Sequence, residues 1–154
     1  MQKQFKPYFA VALALLAASC AGNKEKNDAA ADNAAAGADI RGRWNIERIA
    51  LGDSATVVPA VEVPGVGQYI SFEDGEYFIK TNCNSLSGSY TVSGDSIAMV
   101  DGVMTEVACD NMATEDALRR ILPTVVTMRA EDDSTLVLCG SNPSECIVLR
   151  KAAD

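Results

Sequence analysis

Cysteine is the residue type with the clearest chemical potential in this sequence. The chain has five cysteines and no histidine. Cys83 lies between two asparagines in KTNCNSLSGSY, where the residue types alone fit a nucleophile, a metal ligand or half of a disulfide. Without histidine, the chain has no Ser-His or Cys-His pair and no imidazole ligand for zinc. We therefore expect no catalytic residue, no metal site and no cofactor.

Carboxylates keep one enzymatic alternative open. The acidic residues are scattered through turn-like contexts such as FEDGE and AEDDS. A carboxylate-based enzyme would need at least two of them to converge in one concave pocket. The prediction is a noncatalytic protein, and the alternative is a carboxylate-based enzyme of unknown substrate in the bacterial envelope.

The N-terminal residues predict export and a lipid anchor. MQKQFKPYFAVALALLAASC combines two lysines, an apolar run and small residues before Cys20, which is typical of an export signal. The run is too short to span a hydrocarbon core, which needs about 20 helical residues. AASC resembles a bacterial lipobox, so residues 1–19 are interpreted as a lipoprotein signal peptide and Cys20 as the acylated residue. The alternative is an ordinary signal peptide with a chance cysteine. We expect a lipid-anchored protein of the envelope, on the periplasmic or the exposed face of the outer membrane, with the bilayer as its partner through Cys20.

Residues 20–39 are interpreted as the lipidated cysteine and a flexible tether. After Cys20 this segment has no aromatic residue, leucine or valine, so it cannot bury a core. Residues 40–154 then form one domain of common size. Residues 1–39 carry equal numbers of acidic and basic side chains, which leaves the whole net charge of −8 in residues 40–154. A surface of that sign disfavours nucleic acid as a partner.

The hydrophobic pattern predicts an α+β fold with an antiparallel sheet and one helix. In QYISFEDGEYFIK, Asp74 and Gly75 suit a two-residue hairpin turn between alternating segments. Further strands are predicted in GRWNIERI, SGSYTVSGDSIAMV, VVTMRA, STLVLC and CIVLRK. ATEDALRRILP has apolar residues at helical spacing and predicts a helix that ends before Pro123. Its Glu115–Arg119 and Asp116–Arg120 pairs are expected on a solvated face.

The four cysteines other than Cys20 predict two disulfides, because their number is even and the protein is exported. Cys139 and Cys146 end and begin two apolar strands around GSNPSE, so they would face each other across a hairpin. Elimination then pairs Cys83 with Cys109. The alternatives are a four-thiolate zinc site, although no CxxC pair occurs, and a reactive thiol at Cys83.

The segment 82–89 is predicted to be a loop that forms a structural corner. Asn82 and Asn84 can fold their side chains onto nearby backbone groups, and Gly88 permits a close turn into the next strand. Asn82, Asn84 and Ser85 are also candidate binding residues, because loops on a rigid scaffold often carry function. On the structural interpretation, Asn84→Ala and Ser85→Ala each cost about 1 kcal/mol or less.

Five segments carry a resemblance to a known family: RGRWNIERI, YISFEDGEYFI, TNCNSLSGSYTVSGDSIAM, VMTEVACDNMATEDALRRIL and TLVLCGSNPSECIVLRK. Over residues 41–151 the chain resembles the META domain family, which includes HslJ-like heat-shock-inducible lipoproteins. The resemblance implies a single small domain with an antiparallel, partly barrel-like sheet and one packed helix. Cys83 and Cys109 match the family's two cysteines, whereas Cys139 and Cys146 are an addition of this chain. Asn82 departs from the Gly or Met that members typically have before the first cysteine.

The resemblance implies little chemistry, because the family has no established catalytic mechanism. It implies envelope association and a role in stress or antibiotic tolerance. We therefore expect a noncatalytic, envelope-anchored lipoprotein domain that acts as a binding or structural module. Its further partner would be an envelope protein or a small ligand.

Overall fold

The computed structural model describes residues 38–61 and 67–153, which form an antiparallel barrel with one helix. The predicted signal peptide, Cys20 and nearly all of the tether lie outside the described residues. The strands are β1 (Gly42–Leu51), β2 (Thr56–Val57), β3 (Tyr69–Glu73), β4 (Glu76–Lys80), β5 (Ser85–Ser93), β6 (Ser96–Met104), β7 (Val125–Asp132), β8 (Thr135–Gly140) and β9 (Glu145–Lys151). The helix α1 spans Ala113–Ile121 and continues into a 3₁₀ turn, Leu122–Thr124. A second 3₁₀ turn covers Gly52–Ser54.

Local sequence signals account for most of these elements. All the predicted strands and the predicted helix are present. Asp74 and Gly75 have φ angles of 47° and 82°, as the predicted β3–β4 hairpin turn requires. Gly94, in the predicted turn between β5 and β6, has a φ of 59°. The short strand β2 has no counterpart among the predicted strands.

The sheet closes on itself, so the expectation of a partly barrel-like sheet understates the fold. Consecutive strands pair from β3 to β9, and β1 joins β3 on one edge and β9 on the other. Eight strands thus form a closed barrel, with β2 added beside the C-terminal part of β1. Pairing of the first and last strands joins residues about a hundred positions apart, which a local pattern does not encode.

The barrel interior is filled by aliphatic and aromatic side chains from all eight strands. Ile49, Ile70, Phe72, Leu138 and Ile147 are among the fully buried ones. Complete burial of a side chain of this size stabilises the fold by about 1.5–3 kcal/mol. The interior is therefore a packed core.

The helix covers one end of the barrel. Its apolar face, with Leu118 and Ile121 fully buried, belongs to the same core as the strands. The predicted ion pairs are only partly correct: Arg119 lies 3.4 Å from Glu115, but Glu115 is completely buried, and Arg120 pairs with Glu145 at 2.7 Å. A helical spacing places Glu115 and Arg119 on one face but does not decide whether that face is solvated.

Candidate functional site

The segment around Cys83 is a tied corner at the helix end of the barrel. Cys83 and Cys109 form one disulfide, with a Cα–Cα distance of 6.1 Å, and Cys139 and Cys146 form the other. Both predicted bridges are confirmed. The first connects the β4–β5 loop to the segment that leads into α1, and the second crosses the β8–β9 hairpin. Sulfur in a disulfide is neither a thiolate nucleophile nor a thiolate metal ligand.

Asn84 is the centre of this corner. Its side-chain amide donates to Val107 O at 2.8 Å and to both Glu115 carboxylate oxygens at 3.0 Å. Its side-chain oxygen accepts from Val107 N and from the Thr105 hydroxyl, each at 2.8 Å. Thr81 Oγ1 lies 3.3 Å from Glu115 and completes the network. Because Asn84 and Glu115 are both 0% exposed, their side chains bond to the protein and not to solvent.

The two other candidate binding residues lie beside this network. Asn82 donates its side-chain amide to Asn111 O at 2.9 Å, which links the loop to the start of α1. Ser85 bonds through its backbone, accepting from Thr105 N and donating to Thr105 Oγ1, each at 3.0 Å. The expected loop over 82–89 is wrong beyond Asn84, since Ser85 begins β5. Gly88 accordingly lies inside a strand and not at a turn.

A pocket of about 300 Å³ lies between β6 and the wall formed by α1 and its 3₁₀ turn. Four consecutive residues of β6, from Asp101 to Met104, line one side. The opposite side consists of Arg119, Leu122 and Pro123, and the remaining wall consists of Tyr77, Leu86 and Ser87. The volume is at the lower end of the range for small-molecule sites, about 300–1,000 Å³.

A β-bulge and two glycines shape the wall of the pocket. The β5–β6 register shifts between Ser87 and Gly88, which pair with Val103 and Asp101 and leave Gly102 as the extra residue. A Cβ on Gly102 would lie 2.7 Å from Ser87 O, and one on Gly88 would lie 2.7 Å from the Tyr77 hydroxyl. Neither position admits a side chain without movement. Bulges commonly re-aim side chains next to functional sites.

The Gly88 position allows Tyr77 to reach Asp101. The Tyr77 hydroxyl donates to Asp101 Oδ1 at 3.2 Å, across the strand that separates β4 from β6. Burial, followed by the negative charge and the hydrogen bond of Asp101, raises the pKa of Tyr77 to about 12. Tyr77 is therefore a neutral donor at physiological pH, and its acceptor Asp101 lines the pocket.

Among the described residues that line the pocket, one is acidic and one is basic. Asp101 lies on the β6 side, and Arg119 lies on the helix side, where its guanidinium is 44% exposed and 3.4 Å from Glu115. Between them the lining is apolar, from Leu86, Leu122 and Pro123. Such a site can hold an amphipathic group by apolar contact and orient it by two polar ones.

Sequence reasoning did not find this pocket. Its parts come from β4, β5, β6 and α1, and the only local signals are the glycines of SGSY and of VDGV. Glycine inside a strand pattern is a known indicator of a bulge or a close backbone approach. The sequence predicts a turn at Gly88, whereas the structure places this residue inside β5.

The described residues contain neither a metal-binding cluster nor a helix that could span a membrane. Within residues 38–61 and 67–153, no three carboxylate or cysteine side chains come together in a metal-binding arrangement. In the same part of the chain, no helix is long and apolar enough to cross a bilayer.

The architecture defines the class of protein: a closed antiparallel β-barrel with one end covered by a short helix and a pocket between the cover and the wall. The chain belongs to the META domain family, because the sequence model of that family matches residues 38–153. A comparison with curated proteins finds no match.

Two solved structures share the fold at low sequence identity. One is the NMR structure of a protein from Burkholderia xenovorans, with 13% identity and a TM-score of 0.58 over 73% of this chain and 82% of that one. The other is the crystal structure of a DUF4847 family protein from Bacteroides vulgatus, with 12% identity and a TM-score of 0.52 over 75% of this chain and 95% of that one. These similarities show the fold alone.

Proposed function

We propose that this protein is a noncatalytic binding domain of the bacterial envelope, and that the pocket beside β6 is its ligand site. A lipid on Cys20 would hold it at the outer membrane, and its role would belong to envelope stress or antibiotic tolerance. The observation that carries the proposal is the pocket itself: an apolar cleft on a rigid barrel, with one carboxylate and one guanidinium at its sides.

The distribution of acidic residues supports binding over carboxylate catalysis. Among the described residues that line the pocket, only Asp101 is a carboxylate. Glu73, Asp74 and Glu76 cluster in and beside the β3–β4 turn, but they are exposed and border open surface depressions. A paired-carboxylate mechanism needs two acids on opposite sides of an enclosed substrate.

The corner around Asn84 supports a structural role for that segment and leaves the pocket as the recognition site. A ligand could reach Asn84 only after the disulfide-tied loop opened and a network around a buried carboxylate broke. Each hydrogen bond to a charged group contributes about 1.5–3 kcal/mol, so opening is costly.

Photo-crosslinking in cells tests the proposal. Val103 is a pocket residue with 74% of its surface exposed, and Val58 is 69% exposed and lies before the described gap at 62–66, outside the pocket. Benzoylphenylalanine at position 103 is expected to capture a defined molecule under envelope stress, whereas the same group at position 58 should not. Arg119→Ala should reduce the capture, with Arg129→Ala as the matched control on an exposed strand surface.

The captured molecule also separates binding from catalysis. Incubated with the purified chain, it should be recovered with unchanged mass. Equal crosslinking at positions 103 and 58, or none at 103 in a folded protein of normal abundance, would contradict the proposed site. Turnover of the captured molecule would establish the enzymatic alternative.

A further inference from the structure

β6 lacks a strand partner along most of one edge. On its β5 side it pairs continuously from Ser96 to Met104, apart from the bulge. On its other side, β7 meets it in one pair, Ser96 with Thr127, which is extended by a hydrogen bond from Met128 N to Asp95 O at 2.8 Å. No other strand of the described part of the chain flanks β6. Beyond this short contact, Asp101 to Met104 of β6 line the pocket.

The register identifies which backbone groups face that edge. Tyr90 N donates to Gly75 O, so the Tyr90 backbone points toward β4. Tyr90 is opposite Met99, and this pair must therefore be of the kind that exchanges no hydrogen bonds. The N–H and C=O groups of Met99 consequently point away from β5. Asp101 lies two residues further on and precedes the bulge at Gly102, so its backbone N–H and C=O groups also point away from β5.

The unpaired edge and the pocket adjoin each other. Asp101, the second residue whose backbone faces outward, also lines the pocket. The outer side chains of this strand, Val100 and Val103, are 61% and 74% exposed. An unpaired edge with exposed valines is a template for another extended chain, and natural proteins usually protect it. Here the bulge and the pocket interrupt the edge instead.

We propose that the ligand of this pocket is an extended peptide that adds as a strand to the free edge of β6. Its backbone bonds to the N–H and C=O groups of Met99 and Asp101. One apolar side chain enters the pocket between Leu86, Leu122 and Pro123. Strand addition provides affinity through backbone bonds and specificity through a side-chain pocket. This inference rests on the proposed function and names its ligand class.

Charge selects the occupant. The chain has a net charge of −8, and Asp101 presents a carboxylate beside the edge, whereas the charge of Arg119 on the helix side of the pocket is paired with Glu115. A peptide with a basic residue next to its apolar anchor is attracted by both, first by the long-range field and then by a direct ion pair. A second copy of this chain has the same net charge and is repelled. The partner is therefore a basic, apolar-anchored peptide segment and not a second barrel.

The test uses the full-length chain in detergent and three synthetic peptides with blocked ends. The first has the sequence Thr-Leu-Thr-Lys-Thr-Leu-Thr. In the second peptide, glutamate replaces lysine. In the third, every other backbone nitrogen is methylated, which removes the N–H donors along one edge of the extended peptide. We expect the first peptide to bind at least about 10-fold more tightly than either of the others by fluorescence anisotropy. Hydrogen exchange should slow in the segment 97–104 when it binds.

Variants of the strand edge keep the test specific. Met99→Pro removes an N–H that is unpaired in the barrel, whereas Met99→Leu retains it, so only the proline variant should lose binding. Asp101→Asn should weaken binding of the lysine peptide about 10-fold, and Asp133→Asn, the same change in the exposed β7–β8 turn, should not. Thermal unfolding of each variant verifies that the barrel is intact.

Several outcomes would overturn the peptide assignment. They are no binding of the lysine peptide at millimolar concentration, binding without protection of 97–104, or equal binding by a folded Met99→Pro variant. Concentration-dependent dimers that protect the same segment would assign the edge to a second copy. If benzoylphenylalanine at position 103 still captures a molecule that is not a peptide, the proposed pocket function stands and only the peptide inference fails.

Discussion

Replacement of Asn84 by alanine is the sharpest test of the corner. The side chain is fully buried and bonds to four groups: Val107 N, Val107 O, the Thr105 hydroxyl and the Glu115 carboxylate. An unsatisfied buried polar group costs about 1–3 kcal/mol. Val107 is exposed, so water can replace part of the hydrogen bonding that its backbone N–H and C=O lose. Thr105 is exposed as well, so counting the Glu115 loss in full and the Thr105 and Val107 losses in part gives about 3–5 kcal/mol.

Equilibrium unfolding in urea measures this loss. With a slope of about 2 kcal/mol per molar urea, the midpoint should fall by about 2 M with little change in slope. The loss is a large part of the whole stability of a domain, about 5–15 kcal/mol. Both disulfides must stay oxidised in the assay, so that the measured difference belongs to the side chain.

Ser85→Ala is the matched control, since Ser85 is the next residue and its hydrogen bonds run through the backbone. That variant should stay within about 1 kcal/mol of the natural protein. The sequence alone predicts a loss of about 1 kcal/mol or less for both substitutions, and the structure separates them. Two variants of equal stability would refute the argument that Asn84 and Glu115 form a buried network.

Three further predictions concern the anchor, the bridges and Tyr77. Cys20→Ala should abolish membrane retention and the acyl mass at the N-terminus, as measured by cell fractionation and mass spectrometry. Retention of this variant without acylation would contradict the lipid anchor. Replacing both cysteines of one bridge by serine should lower the free energy of unfolding, on a loop-entropy model, by about 3.5 kcal/mol for Cys83–Cys109 and about 2.5 kcal/mol for Cys139–Cys146. Thiol titration of the unreduced, denatured protein should find almost no free thiol among these four cysteines. The pKa of Tyr77 is about 12 in the folded protein and about 10 in the unfolded chain. The stabilisation that depends on neutral Tyr77, about 2–3 kcal/mol, should therefore be fully present below pH 10 and be lost as the pH rises to 12. Tyr77→Phe should lack this loss in pH-dependent unfolding.

Local chemistry in the sequence was enough for the strands, the helix and one bridge. Alternation of apolar residues marks a strand because successive side chains point to opposite faces. Asp74 and Gly75 mark a turn because they accept positive φ. Cys139 and Cys146 mark a bridge because a short hairpin places them opposite each other. Each signal depends on residues within about ten positions, a scale on which chain connectivity restricts the geometry.

The closed barrel, the buried carboxylate and the pocket were decided by the tertiary structure. β1 and β9 close the barrel from opposite ends of the described chain, and Asn84 meets Glu115 across 31 positions. The pocket needs β4, β5, β6 and α1 together, and the free edge of β6 depends on where β7 stops pairing. These features follow from register and packing between distant segments. The same residue types, such as a helical Glu four positions before an Arg, are compatible with a solvated face or a buried one until those partners are in place.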